Sequence, residues 1–406
     1  MQTSNKLSLL AYFARARRRW KHLHGTALER FQERHARQIV AYAAQHSPFY
    51  CSHWAGHPLQ EWRTLPTVDK ALMMEHFDTF NTRGVKGEEA MAVALEAERS
   101  RDFRPVLGSL TVGLSSGTSG HRGLFLANQW EQIGSRLIQF RYFDLMLPLP
   151  EAVSALNDFQ PHIIVGPPSL LGFLADERQG GRLRIKPGRL ISVAEVLEPH
   201  DRERLEATFD APVHQIYQST EGLLAVSCVK GSLHIQEDVV VLQLEPLPGS
   251  NGERVMPVVT DMWRRTQPII RYRLNDVLQM ESRPCSCGSA FRVIRAIEGR
   301  CDDICYFVSL DGSMRPFFPD TIRRMILLAS PDILDYQAVQ EECGQLRIHL
   351  LVTPKASFST VAQAVQESVN ATLAQYDCRP ATPRIEEGLE LPAPGVKRRR
   401  VQARKQ

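Results

Sequence analysis

Between Leu114 and Gly123 the chain reads LSSGTSGHRG, placing Gly117, Gly120 and Gly123 among the hydroxyls of Ser115, Ser116, Thr118 and Ser119, directly after an apolar run from Val106 to Val112. Glycines let a backbone turn its amides inward around an anion, and hydroxyls add donors that can follow a phosphate as it moves. The ligand that suits such a stretch is a polyphosphate. It is neither a Walker loop, which needs four residues between its glycines and then Lys-Ser/Thr, nor the dinucleotide fingerprint. An ordinary polar turn has a similar composition, so the rest of the chain has to decide.

Three more short elements carry chemistry. IYQSTEG (Ile216 to Gly222) ends a strand with an aromatic, two hydroxyls and a carboxylate. At the C-terminal edge of a parallel sheet ligands are received, and Glu221 there could hold a Mg²⁺ bridging phosphate oxygens. In IIRYRLNDV (Ile269 to Val277), Asp276 follows an apolar strand and could accept both hydroxyls of a ribose. In IEGRCDDI (Ile297 to Ile304), Gly299 offers free dihedrals, and Asp302 and Asp303, expected to be solvated, suit a hinge. Solvated turns would account for each of these singly. A separate set, Cys228 and His234 with Cys285 and Cys287, mixes thiolate and imidazole as a tetrahedral, structural Zn²⁺ site does. Its C-x-C spacing is not that of a standard finger, and reduced cysteines near the surface are the alternative.

The elements that must position these groups come from a chain of 406 residues, long enough for two domains. It has no run of eighteen apolar residues, so no span and no membrane partner is expected. LSLLAYF (Leu7 to Phe13) precedes its basic residues, the reverse of a secretion signal, and reads as the start of an amphipathic helix. The eight cysteines, in a chain without an export signal, suit thiols or a metal better than disulfides and point to the cytoplasm. The net charge of +4 is concentrated at the two ends, with KRRR (Lys397 to Arg400) the densest cluster. Such a tail could touch nucleic acid, but terminal charge runs are more often solvated, so no nucleic-acid partner is expected.

Residues up to about Phe49 have helical spacing, and Thr67 or Asp69 can cap a short helix. HIIVG (His162 to Gly166), RLISV (Arg189 to Val193) and PVHQIY (Pro212 to Tyr217) alternate with helical stretches, which predicts a mostly parallel sheet covered by helices. VVVLQLE (Val239 to Glu245), ERVMPVVT (Glu253 to Thr260) and PIIRYR (Pro268 to Arg273) read as antiparallel. After Gly299 a smaller α+β pattern begins. The expected architecture is α/β, with a large domain of mixed sheets over residues 1–298 and a small mobile α+β domain over 299–406, hinged near 300–303.

Taken in order, SSGTSG, YQSTEG, PIIRYRLND, EGRCDD and a late lysine after PAPG, the chain resembles the adenylate-forming superfamily of acyl-CoA synthetases. LPTVDKALM, TDMWRRTQPIIRYR and CSCGSAFRVIRAIEGRCDDI point to the phenylacetate-CoA ligase branch and the archaeal deazaflavin-cofactor adenylating synthetases. The resemblance implies that Ser115, Ser116, Gly117, Thr118, Ser119 and Gly120 close over the β- and γ-phosphates of ATP. It implies that Ala194, Glu195 and Tyr217 border the adenine, that Thr220 contacts the α-phosphate, and that Glu221 holds magnesium. Asp276 would bind the ribose with Arg300 nearby, Asp302 would be the hinge, and Lys397 would be the mobile lysine of adenylation. The implied activity is ATP-dependent activation of an aryl or acyl acid, then transfer to CoA, with a carrier-protein thiol or an amine as alternative acceptors. Relatives of this branch can carry a zinc, and self-association is compatible with the pattern.

Two departures keep other classes open. HRG follows the loop where many relatives have Pro-Lys-Gly, so Arg122 would have to substitute for an absent lysine. The interval from that loop to His162 is short by several dozen residues. A nucleotide-binding pseudoenzyme or partner protein is therefore one alternative, and a zinc-bearing nucleic-acid binder using the basic tail is another.

Overall fold

The structure is a computed structural model that describes residues 2–101, 106–114, 123–128, 141–144, 147–248, 250, 252–390 and 399–404, without the side chains of 2–10, 12 and 320. The chain forms two compact units: Met1–Glu245, Met256–Leu274 and Met280–Arg295 make the first, and Pro246–Val255, Asn275–Gln279 and Ala296–Gln406 the second.

The first unit opens with helices α1 (Gln2–His22), α2 (Gly25–His46) and α3 (Pro48–His53), as the helical spacing predicts. Ser47 caps α3 by accepting the Tyr50 amide and donates its own hydroxyl to the Phe80 carbonyl at 2.9 Å. Asp69 caps α4 (Lys70–Glu75), accepting the Leu72 amide at 2.9 Å. Helices α5 (Phe77–Phe80) and α6 (Gly87–Ser100) follow. Strands β1 (Val106–Leu107), β2 (Leu110–Leu114) and β3 (Leu124–Asn128) then form an antiparallel sheet. Leu110, Val112, Leu124 and Leu126 point inward against Ala90 and Ala94 of α6. Because Leu114 pairs with Leu124, the hydroxyl and glycine stretch is carried on the stems of a hairpin.

Three apolar runs form the expected parallel strands: β4 (Ile163–Gly166) after α7 (Leu149–Phe159), β5 (Arg189–Ser192) after α8 (Pro168–Gln179), and β6 (Val213–Ser219) after α9 (Pro199–Phe209). The helices bury Leu156, Leu171, Leu174, Leu205 and Phe209 against Ile164, Leu190 and Val213. β6 turns directly into antiparallel β7 (Gly222–Ser227), which pairs with β8 (Leu233–Ile235). The expected antiparallel set appears as β9 (Val240–Pro246), β10 (Arg254–Asp261) and β11 (Tyr272–Arg273). PIIRYR contributes only its last two residues to a strand, and the Tyr50 hydroxyl bonds Pro268 and Ile270 ahead of it.

Strands β12 (Asp276–Met280) and β13 (Val293–Arg300) come next. In the second unit, β14 (Cys305–Val308) and β15 (Met314–Phe317) form a hairpin, followed by α10 (Pro319–Leu327), β16 (Ile333–Glu342), β17 (Gln345–Val352), α11 (Phe358–Gln375), β18 (Arg384–Glu387) and β19 (Val401–Ala403). The last four strands lie in the order β18-β17-β16-β19. Ile322, Ile326, Val365 and Val369 pack against Tyr336, Ile348 and Leu350 in its core. The described end of the basic tail is therefore a strand edge, with Val401 in register with Ala338, and Arg400 ion-paired to Asp335 at 2.9 Å. All eight cysteines are free, and no helix among the described residues is long and apolar enough to cross a membrane.

Gln267 completes the open edge of β3. Its carboxamide oxygen accepts the Leu126 amide at 3.1 Å, and its nitrogen donates to the Leu124 carbonyl at 3.2 Å, so one fully buried side chain stands in for a neighbouring strand. Gln267→Ala strands both backbone groups without water, and we expect a loss of about 3 kcal/mol of unfolding free energy in urea titrations. Gln267→Glu, which keeps the acceptor and loses the donor, should lie between the two.

Candidate functional site

A two-residue turn sets the centre of the site. Ser219 pairs with Gly222, which leaves Thr220 and Glu221 at the tip of the β6–β7 hairpin. Glu221 is only 7% exposed. Its Oε2 accepts the Thr220 hydroxyl at 2.9 Å, and its amide donates to Ser219 Oγ at 3.3 Å. Asp261, at the end of β10, accepts the amides of Trp263 and Arg264 at 2.8 and 3.0 Å. That turn aims Arg264 so that Nη1 donates to the Thr220 carbonyl at 2.7 Å, while Nη2 reaches Gln267 Oε1 at 3.0 Å and the Leu126 carbonyl at 3.4 Å. One guanidinium thus links the Glu221 turn to the hairpin that carries the hydroxyl and glycine stretch. Burial, and after it the charge of Glu221, holds the Tyr272 phenol well above its ordinary range.

Ala194 and Glu195 follow β5, beside the end of β6 that carries Tyr217. Ala194 has φ +70°, and the Glu195 amide donates back to the Val193 carbonyl at 2.8 Å, a tight three-residue turn that is strained for a residue with a Cβ. Both Glu195 oxygens are engaged by Ser169, at 3.2 Å from its amide and 3.0 Å from its hydroxyl. The carboxylate thereby braces the first turn of α8. Tyr217 is buried. Ala194, Glu195, Tyr217, Thr220 and Glu221 accordingly share the C-terminal edge of neighbouring strands, where α/β sheets receive ligands. Ser115, Ser116, Gly117, Thr118, Ser119, Gly120, Arg122 and Lys397 lie outside the described residues.

In the second unit, Asp276 begins β12, and the residue before it links to the turn Cys301–Asp303. Asn275 accepts the Cys301 amide at 2.8 Å on its carbonyl and donates its side chain to Asp302. Burial, then the charges of Asp276 and Asp302, pushes the Cys301 thiol up to about 11, so it is protonated at neutral pH. Arg300 ends β13 next to this turn. Asp303 is not solvated as the sequence suggested. It is 4% exposed and ion-paired with Arg399, whose Nε lies 3.2 Å from Oδ2. A carboxylate can be buried there because a guanidinium from the far end of the chain comes with it. Burial first, and then the nearby charge of Arg300, lowers the Arg399 pKa.

Cys228, His234, Cys285 and Cys287 meet, with one ligand atom from each lying within 4.8 Å of all the others. Cys228 Sγ is 3.8 Å from Cys285 Sγ, and Cys287 Sγ is 3.4 Å from His234 Nε2. Ligands arranged tetrahedrally around zinc, with Zn–S of about 2.3 Å and Zn–N of about 2.0 Å, stand about 3.5–3.8 Å apart. The His234 Nδ1–H donates to the Phe291 carbonyl at 2.8 Å, which leaves Nε2 as the free lone pair. Burial acts to raise the Cys285 thiol, but hydrogen bonding with Ser232, Cys287 and His234 outweighs it and brings the thiol down to about 6. Burial leads in raising Cys287 to about 11. Trp20 of α1 stands edge-on to His234, with ring centroids 4.9 Å apart.

Sequence reasoning missed Arg264, Gln267, Asp261 and the Asp303–Arg399 pair. The first three sit in TDMWRRTQP, whose run of charge and amide between two apolar strands was the available signal.

No family model matches the chain. It is 25% identical over 368 residues to phenylacetate-coenzyme A ligase of Thermus thermophilus, covering 79% of each chain. It is 22% identical over 219 residues to protein CapK of Staphylococcus aureus, covering 53% of this chain and 47% of that protein, so this match spans about half of CapK. Among solved structures, 2-hydroxyisobutyryl-CoA ligase in its postadenylation state with 2-HIB-AMP superposes with a TM-score of 0.67 at 16% identity, over 96% of this chain and 91% of that one. An open conformation of the same ligase with 2-HIB-AMP and CoA gives 0.55 at 16% identity, over 92% and 91%. The α/β fold is that of the adenylate-forming CoA ligases, and the chain is related to the phenylacetate-CoA ligase branch, as the order of its motifs implied.

The turn at Ala194 can be tested by itself. Ala194→Gly removes the Cβ from a left-handed position and should be neutral or raise stability by up to about 1 kcal/mol, whereas Ala194→Val should cost about 2 kcal/mol or more in the same urea titration.

Proposed function

We propose that this chain, a relative of phenylacetate-CoA ligase with the fold of the adenylate-forming ligases, activates a carboxylic acid with ATP and passes the acyl group to a thiol. The observation that carries the reading is the Arg264 bracket. It joins a stem of the β2–β3 hairpin, between whose strands the hydroxyl and glycine stretch falls in sequence, to the Thr-Glu turn with its buried carboxylate, in a fold shared with a ligase captured with its acyl-adenylate. An aryl or acyl acid is the substrate class, and CoA is preferred to a carrier-protein thiol or an amine as acceptor.

In the first half-reaction a carboxylate oxygen attacks the α-phosphorus in line, the bond from that phosphorus to the bridging oxygen breaks, and pyrophosphate leaves. Ser115–Gly120 hold the β- and γ-phosphates, and Thr220 hydrogen-bonds the α-phosphate. Ala194, Glu195 and Tyr217 border the adenine, Asp276 takes the ribose hydroxyls, and Arg300 lies beside it. Lys397 supplies a compact cation between carboxylate and α-phosphate, where negative charge gathers. Glu221 would hold Mg²⁺, which would neutralise phosphate charge; a buried carboxylate at the tip of the turn suits a hard cation. In the second half-reaction the thiol sulfur attacks the acyl carbonyl, the bond to AMP breaks, and the thiol proton passes to solvent. A small domain, residues 299–406, turning at Asp302, exchanges the two half-reactions.

Pyrophosphate exchange into ATP across a panel of aryl, fatty and amino acids tests this reading. A subset of acids should support exchange, and Glu221→Gln and Lys397→Ala should each reduce it by about a hundredfold or more. Silence across the panel from folded protein that still binds ATP would overturn the enzyme reading and favour a nucleotide-binding partner protein.

We also assign Cys228, His234, Cys285 and Cys287 to a structural Zn²⁺, on the ligand spacing given above. Elemental analysis of natively purified protein should find about one zinc per chain, lost in Cys287→Ser. Chelation should shift the part of the tryptophan emission that Trp20→Phe removes. Metal-free protein with unchanged Trp20 emission would sink the assignment.

A further inference from the structure

The charge of the chain is unevenly placed, and the nucleotide site does not account for it. Residues 14–37, spanning the end of α1 and the first half of α2, contain eight arginines and lysines and two glutamates, whereas the whole chain has a net charge of only +4. The remainder is therefore slightly acidic. Arg15, Arg17, Arg18, Lys21, Arg30 and Arg34 are all exposed, and none forms an ion pair among the described residues. Surface cations are usually interspersed with carboxylates; a block of them on two consecutive helices favours an anionic surface.

An apolar feature accompanies the charge. Trp20 fixes the C-terminal turn of α1 by packing edge-on against His234 and Phe291, and Arg19 pairs with Asp238 at 2.9 Å. Seven residues earlier, on the same face of the helix, Phe13 is 63% exposed. The face that α1 buries at Trp20 thus continues uncovered at Phe13, and the sequence before it, LSLLAY, is apolar as well. Apolar side chains next to a cluster of cations are what a bilayer surface can receive, the first at the acyl boundary and the second at the headgroups. A second copy of the chain would bring the same cations together and be repelled. Nucleic acid would leave Phe13 unused.

We propose that α1 and the start of α2 form a docking surface for an anionic lipid membrane, which α1 lies on and does not cross. The inference is independent of the reaction assigned above, because none of its residues belongs to the nucleotide site.

Flotation with vesicles of phosphatidylcholine alone, or with phosphatidylglycerol as about a third of the lipid, tests it on the full chain. Binding should require the anionic lipid and weaken steeply with salt. Neutralising Arg15, Arg17 and Arg18 together to Gln should lower the partition coefficient about fivefold per arginine, near a hundredfold in all. Phe13→Ser should lower it further while leaving the salt dependence in place. These exposed side chains form no ion pairs among the described residues, so the variants should melt as the parent does and retain its activity in free solution. Equal binding to neutral vesicles, no binding to anionic ones, or binding indifferent to both sets of substitutions would overturn the proposal. Concentration-dependent dimerisation abolished by Phe13→Ser, with no vesicle binding, would assign the face to a second copy instead.

Discussion

A carbonyl at a hairpin tip and a carbonyl on a neighbouring hairpin stem share one guanidinium, and the geometry of the site depends on that sharing. Arg264 donates to Thr220 and, across the site, to Leu126. Guanidinium donors lie in a rigid plane, so the two acceptors are held at a separation that an ammonium on a flexible stem could not fix. The head group is itself aimed, since Asp261 pins the Arg264 amide and Gln267 accepts from its second nitrogen. Preorganisation of this kind matters most where charge must develop on a phosphate, because donors that have to be ordered during the reaction give back in entropy what they gain in electrostatics.

Burial gives the same region its chemical character. Glu221 is nearly inaccessible, and its negative charge is felt by Tyr272, whose phenol it helps to hold protonated. A carboxylate in that setting favours a hard cation, for which it offers a full charge at short range. Arg264 does not discharge it, because the guanidinium is directed at the backbone carbonyl of Thr220 and not at the carboxylate. Had an arginine paired with Glu221 directly, the turn would be a closed structural ion pair of the Asp303–Arg399 type.

What the sequence made legible was local. β-Branched runs separated by helical stretches announced β4, β5 and β6, and Thr67 and Asp69 announced a helix cap that Asp69 supplies, because both signals lie within a few residues of what they determine. The four candidate metal ligands were legible as residue types, and their convergence was not, since Cys228 and Cys285 are 57 positions apart. Arg264 lies 44 positions from Thr220, Gln267 lies 141 from Leu126, and Arg399 lies 96 from Asp303. At such separations the partner of a polar residue is chosen by tertiary packing. A charged residue in a loop then reads as solvated, as Asp303 did, until the group that neutralises it is brought alongside.

The distribution of cations follows a related logic. Backbone amides and hydroxyls can cradle a polyphosphate with few fixed cations. Such a site needs little fixed positive charge, and an excess would hold pyrophosphate after it should leave. The block of arginines on α1 and α2 therefore has to be explained outside it. Arg19, the member of that block that turns inward, shows what an explained cation looks like: it pairs with buried Asp238 and lies over the rings of Phe31 and Trp263. Burial raises the Asp238 pKa while Arg19 opposes the rise, so each group makes the placement of the other tolerable. Arg37 pairs with Glu33, but Arg15, Arg17, Arg18, Lys21, Arg30 and Arg34 form no ion pair among the described residues, and a like-charged cluster costs the fold free energy through self-repulsion that an external anion would relieve.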